Sequence, residues 1–198
     1  DGIAGEVTSV IDASGLLHIV WTDNGITDAL PKDLYHRTLD PQTNVMSAIT
    51  IVHDVDQGDD GDFTPFLAAG DDGSVHLVWT RRMNDTDGDI YYATWSADTG
   101  WAAALLISDH ENDGESNVPS MALDSNGDPH FVWQESGDIA VENNGDQGSG
   151  YQDIYYRSLA GGSLTPYVLI SNGGAENSCN PQFGSSPYVC ESLAPSIA

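Results

Sequence analysis

The chain alternates short apolar runs with clusters of Asp, Gly, Asn and Ser, and no stretch sustains the period of an amphipathic helix with caps. Three runs share one pattern. Residues 7–21, 64–79 and 118–133 each hold a short apolar stretch, an Asp/Gly turn, then His, an apolar residue, Val and Trp. Trp21 precedes Trp79 by 58 residues, and Trp79 precedes Trp133 by 54. A second signature, Asp-apolar-Tyr followed by His or Tyr, comes after each Trp at 33–36, 89–92 and 153–156. A further apolar run closes each unit at 48–52, 103–107 and 167–170. Each unit therefore holds four short strands rich in β-branched and aromatic residues.

Four strands recurring at roughly 55 residues is the period of a propeller blade. The pattern predicts an all-β fold: a β-propeller domain with blade 1 at 1–62, blade 2 at 63–116 and blade 3 with a long link at 117–192. Residues 193–198 repeat the Pro-Ser-apolar-Ala of 119–122, which predicts the first strand of a further blade. A β-sandwich of about twelve strands is the alternative, but sandwich strands need not repeat the same residues at the same positions. Propellers close with about four to eight blades. The expected partners are therefore missing blades of a longer chain or other copies of this one, through strand addition in a polymer in the second case.

Two-residue alternation along a strand sets His18, His76 and His130, three residues before each Trp, on the face opposite to Trp21, Trp79 and Trp133. Repetition at one strand position suits packing between blades for the Trp and structural hydrogen bonding for the His. Asp33, Asp89 and Asp153 open the third strands and are expected to bond the local backbone.

Charge changes the picture. The 198 residues carry 31 Asp and Glu against 5 Lys and Arg, a net charge of −26, and Lys32 is the one lysine. Nucleic acid and anionic membrane surfaces are excluded as partners, since both require clustered cations. Bound cations, a high-salt habitat or a cationic partner remain. The acidic residues concentrate in the segments 22–28, 54–62, 81–88, 109–115 and 134–150, which a propeller gathers at one end, whereas turns such as 71–74 are tight. Binding is expected at the elaborated end. Two of its links align as Asp54, Asp56, Asp60, Asp62 with Asp109, Glu111, Asp113, Glu115. Alternate carboxylates in a Gly-containing loop suit Ca²⁺, and Asp85, Asp87 and Asp89 form a third candidate set. None follows the EF-hand spacing, and a solvated acidic surface is the simpler reading of the same residues.

Cys179 and Cys190 lie in an irregular Gly/Ser/Asn/Pro-rich stretch, where a disulfide would staple the loop and imply a secreted or cell-surface protein. The chain opens on Asp1 without a visible signal peptide, and no apolar run reaches the roughly 18 residues of a membrane span. Trp95, Trp101, Tyr151, Phe183 and Tyr188 fall outside the repeat's core pattern and are the candidate platform for a glycan. No Ser-His-Asp or Cys-His arrangement and no phosphate-binding Gly loop is readable.

The repeated Pro-Ser-Met-Ala-Leu-Asp-Ser-Asn-Gly, His-Phe-Val-Trp, Asp-Ile-Tyr-Tyr and Leu-Ile-Ser elements resemble the sialidase-like (BNR/Asp-box) propeller repeats of secreted bacterial proteins. Ser96-Ala-Asp-Thr-Gly-Trp101 is similar to a shortened Asp-box; residues 158–163 and 38–43 are more degenerate versions. The resemblance implies a fold and no catalytic residue. Sialidase chemistry would need an Arg triad, a Tyr–Glu nucleophile pair and an Asp acid/base. Only Arg37, Arg81, Arg82 and Arg157 are present, none in an obvious active-site context. The expected function is a noncatalytic, Ca²⁺-dependent extracellular binding or assembly module for protein or glycan. The alternatives are part of a glycoside hydrolase completed by further blades, and a structural subunit.

Overall fold

A computed structural model describes residues 4–24, 31–54, 59–84, 87–108, 115–136 and 152–171. Blade 1 holds β1 (Ala4–Ile11), β2 (Leu17–Asp23), β3 (Asp33–Asp40), the two-residue β4 (Val45–Met46) and β5 (Thr50–His53). Blade 2 repeats this with β6 (Gly61–Ala69), β7 (Val75–Asn84), β8 (Asp87–Ser96), β9 (Gly100–Trp101) and β10 (Leu105–Leu106). Blade 3 follows with β11 (Glu115–Leu123), β12 (Pro129–Ser136), β13 (Gln152–Ala160), β14 (Ser163–Leu164) and β15 (Val168–Leu169). The strands run antiparallel within each blade, and the first three follow chain order. The expected first strand of a further blade, 193–198, lies outside the described residues.

The molecule is a partial β-propeller whose sheets do not close on one another. Single parallel bridges, Lys32 to Gly61 and Glu115 to Gly88, tie each first strand to the blade before it. At the first of these the backbones are so close that a Cβ on Gly61, whose φ is 122°, would lie 2.4 Å from Lys32 N. Only glycine fits there.

Alternation explains how the blades stack. Val20 and Leu34 of blade 1 meet Leu67, Leu77 and Trp79 of blade 2 in one core. Val78, Ile90 and Tyr92 on the other face of blade 2 meet Met121, Phe131 and Trp133 of blade 3 in a second core. Each repeated Trp thus faces the preceding blade and each repeated His the next. Trp79 and Trp133 are completely buried, and a side chain of that size contributes about 3 kcal/mol when fully buried. Trp21 has no described blade before it and is half-buried, with Val7 67% and Ile11 58% exposed on the same face. Blade 3 presents Val168 and Ile170 outward at the other end of the stack.

The tight turns between first and second strands carry a repeated relay. Asp12 Oδ1 accepts the N–H groups of Ser14 and Leu16, and Asp12 Oδ2 lies 3.2 Å from His18 Nε2. His18 Nδ1 lies 3.0 Å from His36 Nε2 on the third strand. In blade 3, Asp124 accepts the N–H groups of Asn126 and Asp128, and His130 Nδ1 is 2.7 Å from the Tyr156 hydroxyl. Blade 2 reaches the same end by another route. Gly70 stands where the others have Asp, and Asp72 accepts from Ser74, whose hydroxyl is 2.8 Å from His76 Nε2. His76 Nδ1 is then 2.6 Å from the Tyr92 hydroxyl. A Cβ on Gly70 would lie 2.6 Å from Asp72 Oδ1, so the moved carboxylate and the glycine go together. The expected structural role of the three His is what these contacts provide.

Candidate functional site

The opposite end of the blades, where second strands hand over to third strands, does not repeat. Its described residues begin with Asp62, the second residue of β6, whose side chain is wholly buried. Trp79 Nε1 donates to Asp62 Oδ1 at 2.9 Å, and His53 Nδ1 lies 2.8 Å from Asp62 Oδ2. Burial pushes the Asp62 carboxyl above the usual carboxylate range, against the pull of His53, Trp79 and Arg81. Blade 3 treats its Trp in a different way. Trp133 Nε1 donates to Glu135 on its own strand at 3.2 Å, and the Ser116 hydroxyl donates to the same oxygen. Ser116 holds the position that Asp62 holds in blade 2, since each is paired with the residue two beyond the Trp, or next to it in register.

That register corrects the alignment drawn from sequence. Gly61 and Glu115 form the equivalent bridges to the preceding blade, so Asp62 corresponds to Ser116 and not to Glu115. A shift of one residue turns a side chain to the other face of a strand. Asp62 accordingly points at Trp79, whereas Glu115 reaches back to Arg82 of blade 2. Both of these expected calcium ligands are engaged within the protein. Asp54 and Asp60 are exposed, Asp87 is half-buried, and Asp89 accepts the Ser108 hydroxyl at 3.0 Å. Asp56, Asp85, Asp109, Glu111 and Asp113 lie outside the described residues. Among the described residues, no three His, Cys, Asp or Glu side chains are grouped to hold a metal ion.

The cations are the part of this end that the sequence concealed. Arg81 donates through Nη2 to Asp59 at 2.6 Å and lies over the Tyr91 ring at 5.8 Å. Burial works against its charge, but Asp59 more than offsets this and holds Arg81 charged. Arg82 donates to Glu115 and lies 5.2 Å from the centre of the Phe63 ring, which Lys32 Nζ approaches to 4.7 Å. Three of the chain's five Lys and Arg thus lie at this end in two groups, Arg81 with Asp59 and Tyr91 on the face of Trp79, and Lys32 with Arg82 at Phe63, although sequence placed no Arg in a site. The adjacent pair Arg81-Arg82, two residues beyond the repeated Trp79 in the same strand, was the available signal. Partly exposed ion pairs of this kind contribute about 0–1 kcal/mol each, so they position side chains more than they stabilise.

Backbone geometry is distinctive here too. The Glu6 carboxylate accepts the N–H of Thr64, whose φ is 49°. Val118 has the same φ at the equivalent bulge of blade 3, and both residues precede a proline. A β-branched residue in the left-handed region costs about 1–3 kcal/mol, which the surrounding strands sustain twice.

Of the expected glycan platform, Trp95 and Trp101 are half-buried and pack between blades 1 and 2. Trp95 meets His18 edge-on with centroids 4.5 Å apart, and Trp101 meets His36 at 5.2 Å. These rings serve blade packing at the tight-turn end, away from Arg81 and Arg82. Tyr151, Phe183, Tyr188, Cys179 and Cys190 lie outside the described residues.

No protein-family profile matches the chain, and no curated protein matches it. Solved structures do match its fold. The α-L-arabinanase of Penicillium chrysogenum, complexed with arabinobiose, aligns with a TM-score of 0.59 at 12% identity, covering 86% of this chain and 51% of that one. The GH93 α-L-arabinofuranosidase of Fusarium graminearum, also with arabinobiose, aligns with a TM-score of 0.56 at 14% identity over 81% of this chain and 47% of its own. A PL25 ulvan lyase bound to a GlcA–Rha3S saccharide gives a TM-score of 0.57 at 12% identity, over 82% of this chain and 43% of its own. The chain therefore spans about half the length of these structures. At such identities the likeness establishes the β-propeller fold and gives no evidence for the sialidase-like repeat family in particular.

Proposed function

We propose that this chain is part of an extracellular β-propeller that binds a neutral glycan at its elaborated end without cleaving it. The observation that carries the reading is a pair of charged and aromatic groups at this one end, Arg81 with Asp59 over Tyr91, and Lys32 and Arg82 at Phe63 with Glu115 bonded to Arg82. Arg81 and Arg82 are each matched to a carboxylate, so the two groups exert little net pull on an anion. Donors and acceptors side by side are what vicinal sugar hydroxyls require. The arabinobiose-bound neighbours support a glycan as the ligand class.

A hydrolase is the second reading, favoured by those same neighbours. The buried carboxylate Asp62 does not serve it, because a general acid must come within hydrogen-bond reach of the glycosidic oxygen, and Asp62 is wholly buried with both oxygens engaged. A sialidase would need three arginines converging on one carboxylate. Arg37 and Arg157 instead bond the backbone carbonyls of Ser47 and Thr165 in their own blades. Calcium would be held by Asp54, Asp56 and Asp60 on one link and by Asp109, Glu111 and Asp113 on the other, with Asp62 and Glu115 left in their present bonds.

Titration of the full chain with arabinobiose and with reducing-end assay of arabinan oligosaccharides tests the proposal. The expected result is saturable binding, weakened at least tenfold by Arg82→Ala, with no new reducing ends. Released product would overturn the noncatalytic reading, and absence of binding to any neutral glycan would overturn the ligand class. A melting temperature that falls on EDTA treatment is expected if the links hold calcium; an unchanged melting curve removes calcium from the proposal.

A further inference from the structure

The two junctions between blades differ at the tight-turn end. Trp95 and Trp101 are cross-strand partners in blade 2, and they cover His18 and His36 of blade 1. In blade 3 the same pair of positions is held by Leu159 and Leu164. These leucines do not repeat the cover, and between the turns of blades 2 and 3 lies a cavity of about 540 Å³ lined by His76, Thr94, Trp95 and Asn126 among others, with neither leucine in its wall. Small-molecule sites fall in the range of about 300–1,000 Å³.

We propose that this cavity is a second site, taking one or two residues of a neutral sugar. Its walls combine Asp72, Ser74, His76, Thr94, Ser96 and Asn126, and no Lys or Arg lines it. An anionic ligand would meet carboxylates with no cation to balance it. A bare cation is served poorly as well, because two of the three lining carboxylates, Asp72 and Asp124, are engaged in the turns. Asp72 Oδ1 accepts the N–H and hydroxyl of Ser74, and Asp124 accepts the N–H groups of Asn126 and Asp128 together with the Asn126 amide. What the walls offer is the hydroxyls of Thr94 and Ser96 and the amide of Asn126, groups that exchange hydrogen bonds with a polyol, whereas both nitrogens of His76 are engaged by Ser74 and Tyr92. Asn126 is already bonded to Asp124 and the Ser96 hydroxyl to Thr99, which positions these groups before a ligand arrives and lessens the ordering entropy of binding. The inference does not depend on the reading of the opposite end.

Protein-observed NMR of the full 198-residue chain, titrated with methyl glycosides of arabinose, galactose and glucose, tests it. Saturable shifts are expected at the amides of Thr94, Ser96 and Asn126, separate from any at Lys32 or Arg82. Asn126→Ala and Ser96→Ala should each weaken these shifts' midpoint about tenfold, and Leu159→Trp, which copies the blade 2 arrangement, should abolish them. If Leu159→Trp fails to fold, the two alanine variants still decide. Shifts at the turn end that are absent for every glycoside, indifferent to the alanine variants, or produced by Ca²⁺ and not by sugars would each overturn the proposal.

Discussion

The two ends of these blades follow different rules. At the tight-turn end each blade repeats one device, in which a strand-two His bonds a His or Tyr on strand three and stands beside a turn carboxylate, bonded to it in blade 1, joined through Ser74 in blade 2 and 3.8 Å from it in blade 3. At the elaborated end the blades diverge. Trp79 bonds Asp62 across the sheet, Trp133 bonds Glu135 on its own strand, and the cations form two groups, Arg81 over Tyr91 and Lys32 with Arg82 at Phe63. A feature repeated in every blade serves something every blade must do, which is to hold its turn and stack on the next. Departures from the repeat are where a single ligand would be recognised.

The largest expected effect sets buried against half-buried copies of one residue. Trp133→Ala should cost about 3–5 kcal/mol in urea unfolding, whereas Trp21→Ala should cost about 1 kcal/mol. Equal losses would mean that Trp21 is covered as fully as Trp133 in solution. Next comes Asp62→Ala, which removes the acceptor of two buried donors and should cost about 3 kcal/mol, with Asp62→Asn less harmful. Since burial raises the Asp62 pKa, its contribution to stability is greatest at low pH and declines as pH rises through the folded value. Asp62→Asn should abolish that decline in a pH series of unfolding curves.

His36 supplies a contrast within the repeated end, where blades 2 and 3 have Tyr92 and Tyr156. Burial, then the neighbouring His18, lowers the His36 pKa to about 4. The unfolded chain therefore binds a proton at His36 that the folded chain refuses, and stability falls as pH drops from about 6.5 to about 4. The loss reaches at most about 3 kcal/mol. His36→Tyr should make this slope shallower, leaving the part due to His76, whose pKa is lowered in the same sense. An unchanged slope would show that His36 is already solvated. The smallest effect belongs to the turns. Asp124→Ala removes two backbone hydrogen bonds and should cost about 1 kcal/mol, against no more than about 0.5 kcal/mol for the exposed Asp54→Ala.

The blades were legible in the sequence because a strand's side chains alternate strictly. The recurring His-apolar-Val-Trp fixed which residues face each other within a blade, and the opposed roles of His and Trp followed from their odd spacing. Register between blades was not legible. It rests on single backbone bridges at Lys32 and Gly88, which leave no side-chain pattern, and the spacing of the acidic residues places Asp62 one position away from its true counterpart. The Arg81–Asp59 and Arg82–Glu115 pairs were hidden for the same reason, because one joins a loop to a strand and the other joins two blades. Trp95 and Trp101 looked free for a ligand only because sequence cannot say that His18 and His36 of the preceding blade lie beneath them. By itself the sequence determined the repeat, the strand faces and the acidic character of one end. Tertiary structure alone decided which groups meet across blades, since those contacts depend on how rigid sheets stack and not on the local order of residues.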